Sequence, residues 1–223
     1  MVSHRGIVHQ ASLAAPPSAD IMNRSLVIHD SKGSRWTCAN IAPTTEPMPV
    51  LQMGTPPTPA PGAAGKRFTA VFQGSAASGL GGSIDFYQPS PTAPTQVVVN
   101  FRGASRGATT TNSDAKQFGS YHVHVNPIDP TDPSGPCSPQ SVGGHFNPFN
   151  IVDYTQCDPQ TPTTCEVGDL SGKFGYLTGT NYAASYSDSF LPLSGEYRAC
   201  PSPIALCSPR RRSLPVLGHA LFA

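Results

Sequence analysis

Residues 121–125 read Tyr-His-Val-His-Val, and this alternating stretch decides how the chain is interpreted. Side chains alternate between the two faces of a β-strand. The pattern therefore predicts a strand in which His122 and His124 share one face while Val123 points into the opposite layer. The Cα atoms of the two histidines are expected about 6.5 to 7 Å apart, close enough for both imidazoles to reach one metal ion.

Short apolar or alternating stretches along the rest of the chain predict further strands. They comprise residues 24–29, 35–41, 68–73, 83–88 and 95–101. No segment of ten or more residues keeps a helical period, and the strand signal weakens after Phe174. The 25 prolines and 21 glycines suit short strands joined by many turns. The chain is therefore predicted to be an all-β Greek-key sandwich or barrel.

Composition argues against several kinds of partner. With 12% charged residues and a formal net charge of +1, the chain has no basic patch of the kind that binds DNA or another nucleic acid. The run Arg210-Arg211-Arg212 is expected to be solvated. No apolar run approaches the roughly 20 residues of a membrane helix. Residues 1–15 lack a continuous apolar stretch, so no signal peptide is predicted there.

The chain is predicted to divide into four parts. Residues 42–67 are rich in Pro, Thr, Gly and Ala without periodicity, and are interpreted as a linker. The linker separates a strand pair within residues 1–41 from a β-domain at residues 68–195. An irregular tail is expected at residues 196–223.

Six cysteines allow fifteen complete pairings and favour an oxidising compartment. Cys157 and Cys165 flank a Pro/Thr-rich loop that a disulfide between them would close. Cys200 and Cys207 lie in the tail, where no pairing is assigned to them.

Two further motifs follow the histidine pair. Residues 142–148 read Val-Gly-Gly-His-Phe-Asn-Pro and supply a third histidine, His145, and residues 168–175 read Gly-Asp-Leu-Ser-Gly-Lys-Phe-Gly. In this order the three motifs resemble the copper/zinc superoxide dismutase family, over roughly residues 68–195. The resemblance implies the Greek-key β-barrel of that family, a copper cofactor, and the disproportionation of superoxide in antioxidant defence.

By this resemblance, the copper ligands at the three motifs are His122, His124 and His145. The last copper histidine of the family follows the Gly-Asp-Leu segment and precedes an arginine and a cysteine. Downstream of that segment this chain has only His219, whose neighbours do not fit.

The closing motif of the family is matched near the start of the chain instead. Val27-Ile28-His29, Gly33-Ser34-Arg35 and Thr37-Cys38-Ala39 resemble the family's final strands. The resemblance thus implies His29 as the fourth copper ligand and Arg35 as the arginine that guides superoxide. It also implies that Cys38 pairs with Cys137 in the family disulfide.

Two explanations account for this displaced segment. Residues 1–41 are either the end of a preceding module, left by a cut through a tandem-repeat protein, or a permuted hairpin that completes the barrel in cis. A flexible linker of this length has a mean span of roughly 30 Å, comparable with the diameter of the domain, so it can reach. A repeat-array origin is favoured, with the two pieces expected to be complementary.

Zinc is not expected. Two-metal members of the family have zinc histidines between the bridging histidine and the Gly-Asp-Leu aspartate, whereas none lies between His145 and Asp169, and Glu166 stands at one of their positions. His145 and Asp169 alone lack two of the four usual zinc ligands. The short spacing from His29 to Arg35 also leaves no room for the long electrostatic loop.

Both departures resemble the copper-only members found in fungi, where a carboxylate replaces zinc. Glu166 is then expected to hold the ring of His145, with Asp169 supporting the loop. The resemblance also implies an extracellular or cell-surface location. It leaves the oligomeric state open.

Three hypotheses stand on these grounds. The first is a copper-only superoxide dismutase module with superoxide as its substrate. The second is a non-catalytic copper-binding or structural repeat module of the same fold, in which His29 is not part of the site. The third is a two-metal enzyme whose zinc ligands the motifs do not reveal.

Overall fold

The structure is a computed structural model, which describes residues 20–30, 32–47, 65–73, 80–102, 119–152, 157–178 and 181–193. Within these ranges the chain is almost entirely β-structure. Its strands are β1 (Ser25–His29), β2 (Arg35–Pro43), β3 (Lys66–Phe72), β4 (Gly81–Gln88), β5 (Thr95–Arg102), β6 (Tyr121–His124) and β7 (Asn181–Asp188). The helices are short, namely α1 (Pro139–Val142), α2 (Leu170–Phe174) and a 3₁₀ turn at Pro162–Thr164. The all-β prediction is confirmed.

The strands form one antiparallel sheet in the order β6-β1-β2-β3-β4-β5-β7. The chain runs through five neighbouring strands, crosses from β5 to the far edge at β6, and then returns to place β7 beside β5. A long return that lays a late strand beside the first is the Greek-key connection. This topology places β6, although it comes late in the sequence, beside β1.

The sheet curls around its core. Tyr121 on β6 and Tyr186 on β7 belong to opposite edge strands, yet their hydroxyl oxygens lie 3.1 Å apart. The enclosed face carries the buried apolar residues, which include Leu26, Ile28, Phe68, Ile84, Phe86, Val97, Val99, Phe101, Tyr121 and Val123. Because β6 alternates, its tyrosine and valine face this core and leave both of its histidines on the other face.

The β1–β2 hairpin is an internal part of the sheet. Every residue of β1 is buried, and the strand pairs with β2 on one side and with β6 on the other. The turn is closed by Asp30, whose Oδ1 accepts the backbone N–H groups of Lys32 and Ser34 at 2.9 Å. A bulge at Ile28/His29 places His29 opposite Arg35. His29 and Arg35, both from the motif near the start of the chain, are therefore neighbours on adjacent strands.

The second edge of β6 is covered by two loop segments. Val123 accepts a hydrogen bond from the N–H of Phe146 at 2.8 Å and donates to the carbonyl of Gly168 at 2.9 Å. Gly168 in turn donates to the carbonyl of Phe146 at 2.8 Å. These bonds bring the residues next to them, His145 and Asp169, alongside the strand that carries the histidine pair.

Several predicted boundaries were wrong. β2 extends to Pro43 and β3 begins at Lys66, because backbone pairing between Pro43 and Phe68 continues past the last apolar residues. The segment after β6 contains α1 and the 3₁₀ turn, both shorter than the ten residues over which a helical period was sought. β7 was missed altogether, since its outward positions are small or polar and its inward ones are only half-buried.

Some predictions fall outside the described residues. These concern residues 1–19, most of the linker (48–64), and the tail with Cys200, Cys207, Arg210-Arg211-Arg212 and His219. In the part of the chain that is described, no helix has the length and apolar character needed to cross a membrane.

Candidate metal centre

Four histidines from three separate parts of the chain meet at one end of the sheet. His29 ends β1, His122 and His124 lie on β6, and His145 follows α1. One ring nitrogen from each lies within 4.8 Å of those of all the others. The rings of His122 and His145 are closest, with centroids 4.0 Å apart. The sequence therefore named a set of side chains that the fold brings together.

Backbone carbonyls fix the outer nitrogens of two of these rings. Nδ1 of His29 donates to the carbonyl of Gly33 at 3.0 Å, and Nδ1 of His124 donates to the carbonyl of Gly143 at 3.0 Å. In each ring Nε2 is buried without a hydrogen-bond partner. Donation from Nδ1 selects the neutral tautomer in which Nε2 carries the lone pair, the form that binds a metal.

Carboxylates hold the outer nitrogens of the other two rings. Nδ1 of His145 lies 2.6 Å from Oε2 of Glu166. Nε2 of His122 lies 3.3 Å from both Oδ1 of Asp169 and Oγ of Ser171, and its Nδ1 is buried without a partner. Both carboxylates singled out from the sequence thus contact a histidine. Ser171 was not anticipated.

The unpartnered nitrogens test whether this site fits a metal ion. A buried polar atom without a partner costs free energy, so clustering three of them needs a reason. One cation bound by the four imidazoles would satisfy all three atoms. Imidazole donors suit copper and zinc among the common metals. The residues present therefore fit a single nitrogen-ligated transition metal.

Burial keeps three of the imidazoles, those of His29, His122 and His124, neutral. Desolvation lowers the pKa of His29 to about 4, against the opposing effect of its bond to Gly33. It lowers the pKa of His124 to about 3 and also lowers that of His122. Neutral rings at physiological pH are what a metal requires, because a protonated imidazole has no lone pair to give.

Glu166 is itself held in place. Its second oxygen, Oε1, accepts a hydrogen bond from Nδ2 of Asn147 at 3.0 Å, and the same amide group donates to the carbonyl of Ile151 at 2.8 Å. Asn147 was not among the predicted site residues. Its position two residues after His145 lets one loop supply both the histidine and the anchor of its carboxylate.

Asp169 has two roles in one side chain. It is the N-cap of α2, accepting the N–H of Gly172 at 2.7 Å, and it also faces His122. Burial raises the pKa of Asp169, but hydrogen bonds from His122, Gly172 and Ser171 outweigh it, and the net shift is downwards. The carboxylate is therefore ionised beside the ring.

Arg35 lies next to the histidines and bonds to the same backbone carbonyl as one of them, His124. Its Nη2 donates at 2.8 Å to the carbonyl of Gly143, which also accepts from His124. Gly143 has φ +74°, and a Cβ there would lie 2.5 Å from Cγ2 of Val125, so only glycine fits. Burial lowers the pKa of Arg35, but an arginine keeps its charge.

Two cavities meet at His29. One, of about 780 Å³, is lined by His122, His145 and the carboxylates Glu166 and Asp169. The other, of about 680 Å³, is lined by Arg35, Trp36, Cys137 and residues 134–139 around it. The centre thus lies between a cavity lined by carboxylates and a cavity lined by an arginine.

Two disulfides frame the site. Cys38 of β2 is bonded to Cys137, just before α1, over a sequence separation of 99 residues. Cys157 is bonded to Cys165, which immediately precedes Glu166. The first bond fastens the hairpin to the loop that leads to His145, and the second closes the loop beside the acidic cavity.

Sequence comparisons show what the chain is similar to. No protein-family model matches it. Cell surface Cu-only superoxide dismutase 5 of Candida albicans is 31% identical over 107 residues, covering 45% of this chain and 43% of that protein. Cell surface superoxide dismutase [Cu-Zn] 4 of the same organism is 29% identical over 130 residues, covering 58% and 48%. A cell surface Cu-only superoxide dismutase of Arthroderma benhamiae is 44% identical over 71 residues, covering 32% and 18%.

A structural comparison finds the copper(II) form of Candida albicans superoxide dismutase 5, with a TM-score of 0.43 and 32% identity. The match covers 57% of this chain and 72% of that one. The chain spans less than half the length of the curated relatives it matches, at 48% and 43% for the two longest matches.

The fold is an all-β sheet that assembles a four-histidine centre, and the matched sequences are cell-surface superoxide dismutases. The chain is therefore similar in sequence to cell-surface superoxide dismutases, two of which are named Cu-only.

Proposed function

We propose that this chain binds one copper ion through His29, His122, His124 and His145. The observation that carries the proposal is the convergence of four imidazoles whose outer nitrogens are already engaged. Copper(II) prefers tetragonal nitrogen donors, and imidazole is a natural ligand for it. Two of the relatives are named as copper-only enzymes, which supports the same choice.

Zinc has no place in the proposal. The nitrogen of His145 that would face a second metal contacts Glu166 at 2.6 Å instead. Within the described ranges, the histidine quartet is the one group of three or more metal-binding side chains. Glu166 and Asp169 therefore act as orienting groups for His145 and His122, as second partners of metal-binding histidines commonly do.

The proposed reaction is the disproportionation of superoxide. Bound copper supplies the redox chemistry, by which one superoxide is oxidised to oxygen and a second, with two protons, is reduced to hydrogen peroxide. Arg35 supplies the positive charge that attracts and orients the small anion beside the histidines. Its bond to the carbonyl of Gly143 holds the guanidinium in a fixed position for this task.

The proposal requires the hairpin of β1 and β2 to act in cis. Backbone pairing on both sides, with β6 and with β3, supports this role. In this arrangement residues 1–41 complete the domain of residues 68–195 across the linker at residues 42–67.

A location outside the cell or at its surface follows from the same comparison. The relatives are named as cell-surface proteins, and the two disulfides suit an oxidising compartment.

The test is a measurement of superoxide consumption by the purified, copper-loaded chain, together with its metal content. We expect catalytic disproportionation, about one copper per chain and no stoichiometric zinc. If the chain binds copper but does not consume superoxide, it is a non-catalytic member of the family. Stoichiometric zinc would contradict the assignment of Glu166.

A further inference from the structure

A fully buried ion pair lies behind the carboxylates of the site. Lys173 of α2 and Asp188 at the end of β7 approach to 2.5 Å between Nζ and Oδ2, and both side chains are 0% exposed. Removing two charges from water is costly, and such pairs are often replaceable by apolar residues without loss of stability. The pair therefore calls for an explanation other than stability.

The ammonium group of Lys173 has a second hydrogen-bond partner, which lies in the loop that carries the site carboxylates. Nζ of Lys173 also donates to the carbonyl of Val167 at 2.8 Å. Val167 lies in the turn of residues 166–169, which is closed by a hydrogen bond from the N–H of Asp169 to the carbonyl of Glu166 at 3.0 Å. The lysine thus holds the middle of the turn whose two end residues carry the orienting carboxylates.

Asp188 gives the lysine a fixed position. Its other oxygen, Oδ1, accepts the N–H of Phe190 at 2.7 Å, and its backbone pairs with Thr95 of β5. The ammonium is therefore fastened to the sheet. In the described part of the chain, the hydrogen bonds of the two side chains go to each other, to Val167 and to Phe190, and none goes to a histidine of the quartet.

We propose that Lys173 is a positioning residue for the copper site. Fixed by Asp188, it holds the turn of residues 166–169 and thereby sets the orientation of the His145 and His122 rings. The inference rests on the proposed function, since it concerns how those rings present their nitrogens to copper.

The test compares two variants that differ only in the lysine. Asp188→Asn keeps the ammonium and its bond to Val167. The double variant Lys173→Met/Asp188→Asn removes both charges together, so it leaves no unpaired buried charge. Lys66→Met, which removes an exposed lysine at the start of β3, controls for loss of a positive charge. Circular dichroism establishes folding of each protein.

In the copper-loaded proteins, we expect the double variant to bind copper about tenfold or more weakly and to show a changed Cu(II) EPR spectrum. Asp188→Asn, whose amide oxygen can still accept a hydrogen bond from Nζ of Lys173, should keep the wild-type spectrum, and so should Lys66→Met. A folded double variant with wild-type copper affinity and spectrum would overturn the proposal. If Asp188→Asn does not fold, the comparison of the double variant with Lys66→Met decides the matter.

A second readout needs no metal. In the metal-free protein, NMR measures solvent exchange of the His145 ring N–H, which Glu166 holds. We expect faster exchange in the double variant than in wild type, and an unchanged rate would count against Lys173. Because this readout does not involve copper, failure of the wild type to bind copper would refute the proposed function separately.

Discussion

At the scale of single residues, the second partner of each histidine decides what the centre can do. Carbonyl acceptors fix His29 and His124, and carboxylates face His122 and His145. Each partner selects the tautomer and rotation of its ring, so the lone pairs are directed before a metal arrives. The orientation of the four rings is therefore set by residues other than the histidines themselves.

Replacing Glu166 by Gln tests this directly. The amide keeps the size of the side chain but loses the charge that holds Nδ1 of His145, so we expect copper affinity to fall about 10- to 100-fold. Competition with a chelator of known affinity measures the change. Glu46→Gln makes the same chemical swap at an exposed site and should leave affinity unaltered. Equal affinities in the two variants would show that the carboxylate does not orient the ring.

Replacing Arg35 by Met removes the positive charge next to the histidines. We expect the rate constant for superoxide at low concentration to fall about tenfold, equivalent to about 1.4 kcal/mol, with a weaker dependence on salt. Stopped-flow measurements at two ionic strengths give both quantities. Arg102→Met, at an exposed strand end, is the matched control. A salt dependence that persists in Arg35→Met would place the guiding charge elsewhere.

The four histidines of the site could be predicted from the sequence, whereas several of the contacts that hold them could not. The strand period put His122 and His124 on one face, and resemblance supplied His145 and His29. The contribution of the Gly143 carbonyl is a backbone contact that no side-chain pattern encodes. The pairing of Lys173 with Asp188 exists only because β7 returns to α2, so nothing in the local sequence announces it.

At the scale of elements, the β1–β2 hairpin decides whether the site is complete. It carries His29 and Arg35, and its attachment depends on strand pairing and on the Cys38–Cys137 bond. A crosslink over so long a separation restricts the unfolded chain strongly. The hairpin and the loop before His145 are therefore coupled by a covalent bond.

Removing that bond in Cys38→Ala/Cys137→Ala should lower the free energy of unfolding by about 2 to 4 kcal/mol. Urea denaturation measures the difference. The double variant Cys157→Ala/Cys165→Ala opens a bond with a separation of only 8 residues and should cost less. A larger loss in the second variant than in the first would contradict a stapling role for Cys38.

Elements with apolar alternation were recognisable in the sequence, and the element without it was not. β5 (Thr95–Arg102) was found within a residue of its observed bounds because its valines alternate. β7 presents Tyr182, Ala184 and Tyr186 towards the core, and alternates with small residues rather than with charged ones. Its pairing with β5 arises from tertiary structure, which overrides weak local preference.

At the scale of the whole molecule, the fold holds several neutral imidazoles away from water. The pKa of His29 is lowered to about 4 and that of His124 to about 3, whereas both are near 6.5 when exposed. The Greek-key crossing creates this burial by closing β1 against β6. The sequence predicted a Greek-key fold, but the order of the strands in the sheet became known only from the structure.

This burial predicts how the metal-free protein responds to pH. Between about pH 6.5 and pH 4 the unfolded chain binds protons that the folded protein does not, so its stability must fall as the pH falls through that window. The slope is at most about 1.4 kcal/mol per pH unit for each such imidazole. Urea unfolding at pH 7.5 and pH 5 measures it. His124→Gln should reduce the slope, and an unchanged slope would argue against burial of this ring.

The most direct test of the central claim is Cu(II) EPR with nitrogen hyperfine resolution on the copper-loaded chain and its His29→Ala variant. The proposed centre predicts a tetragonal spectrum with four nitrogen ligands in the wild type, and the loss of one nitrogen when His29 is removed. A spectrum that is identical in the two proteins would show that the hairpin does not complete the copper site.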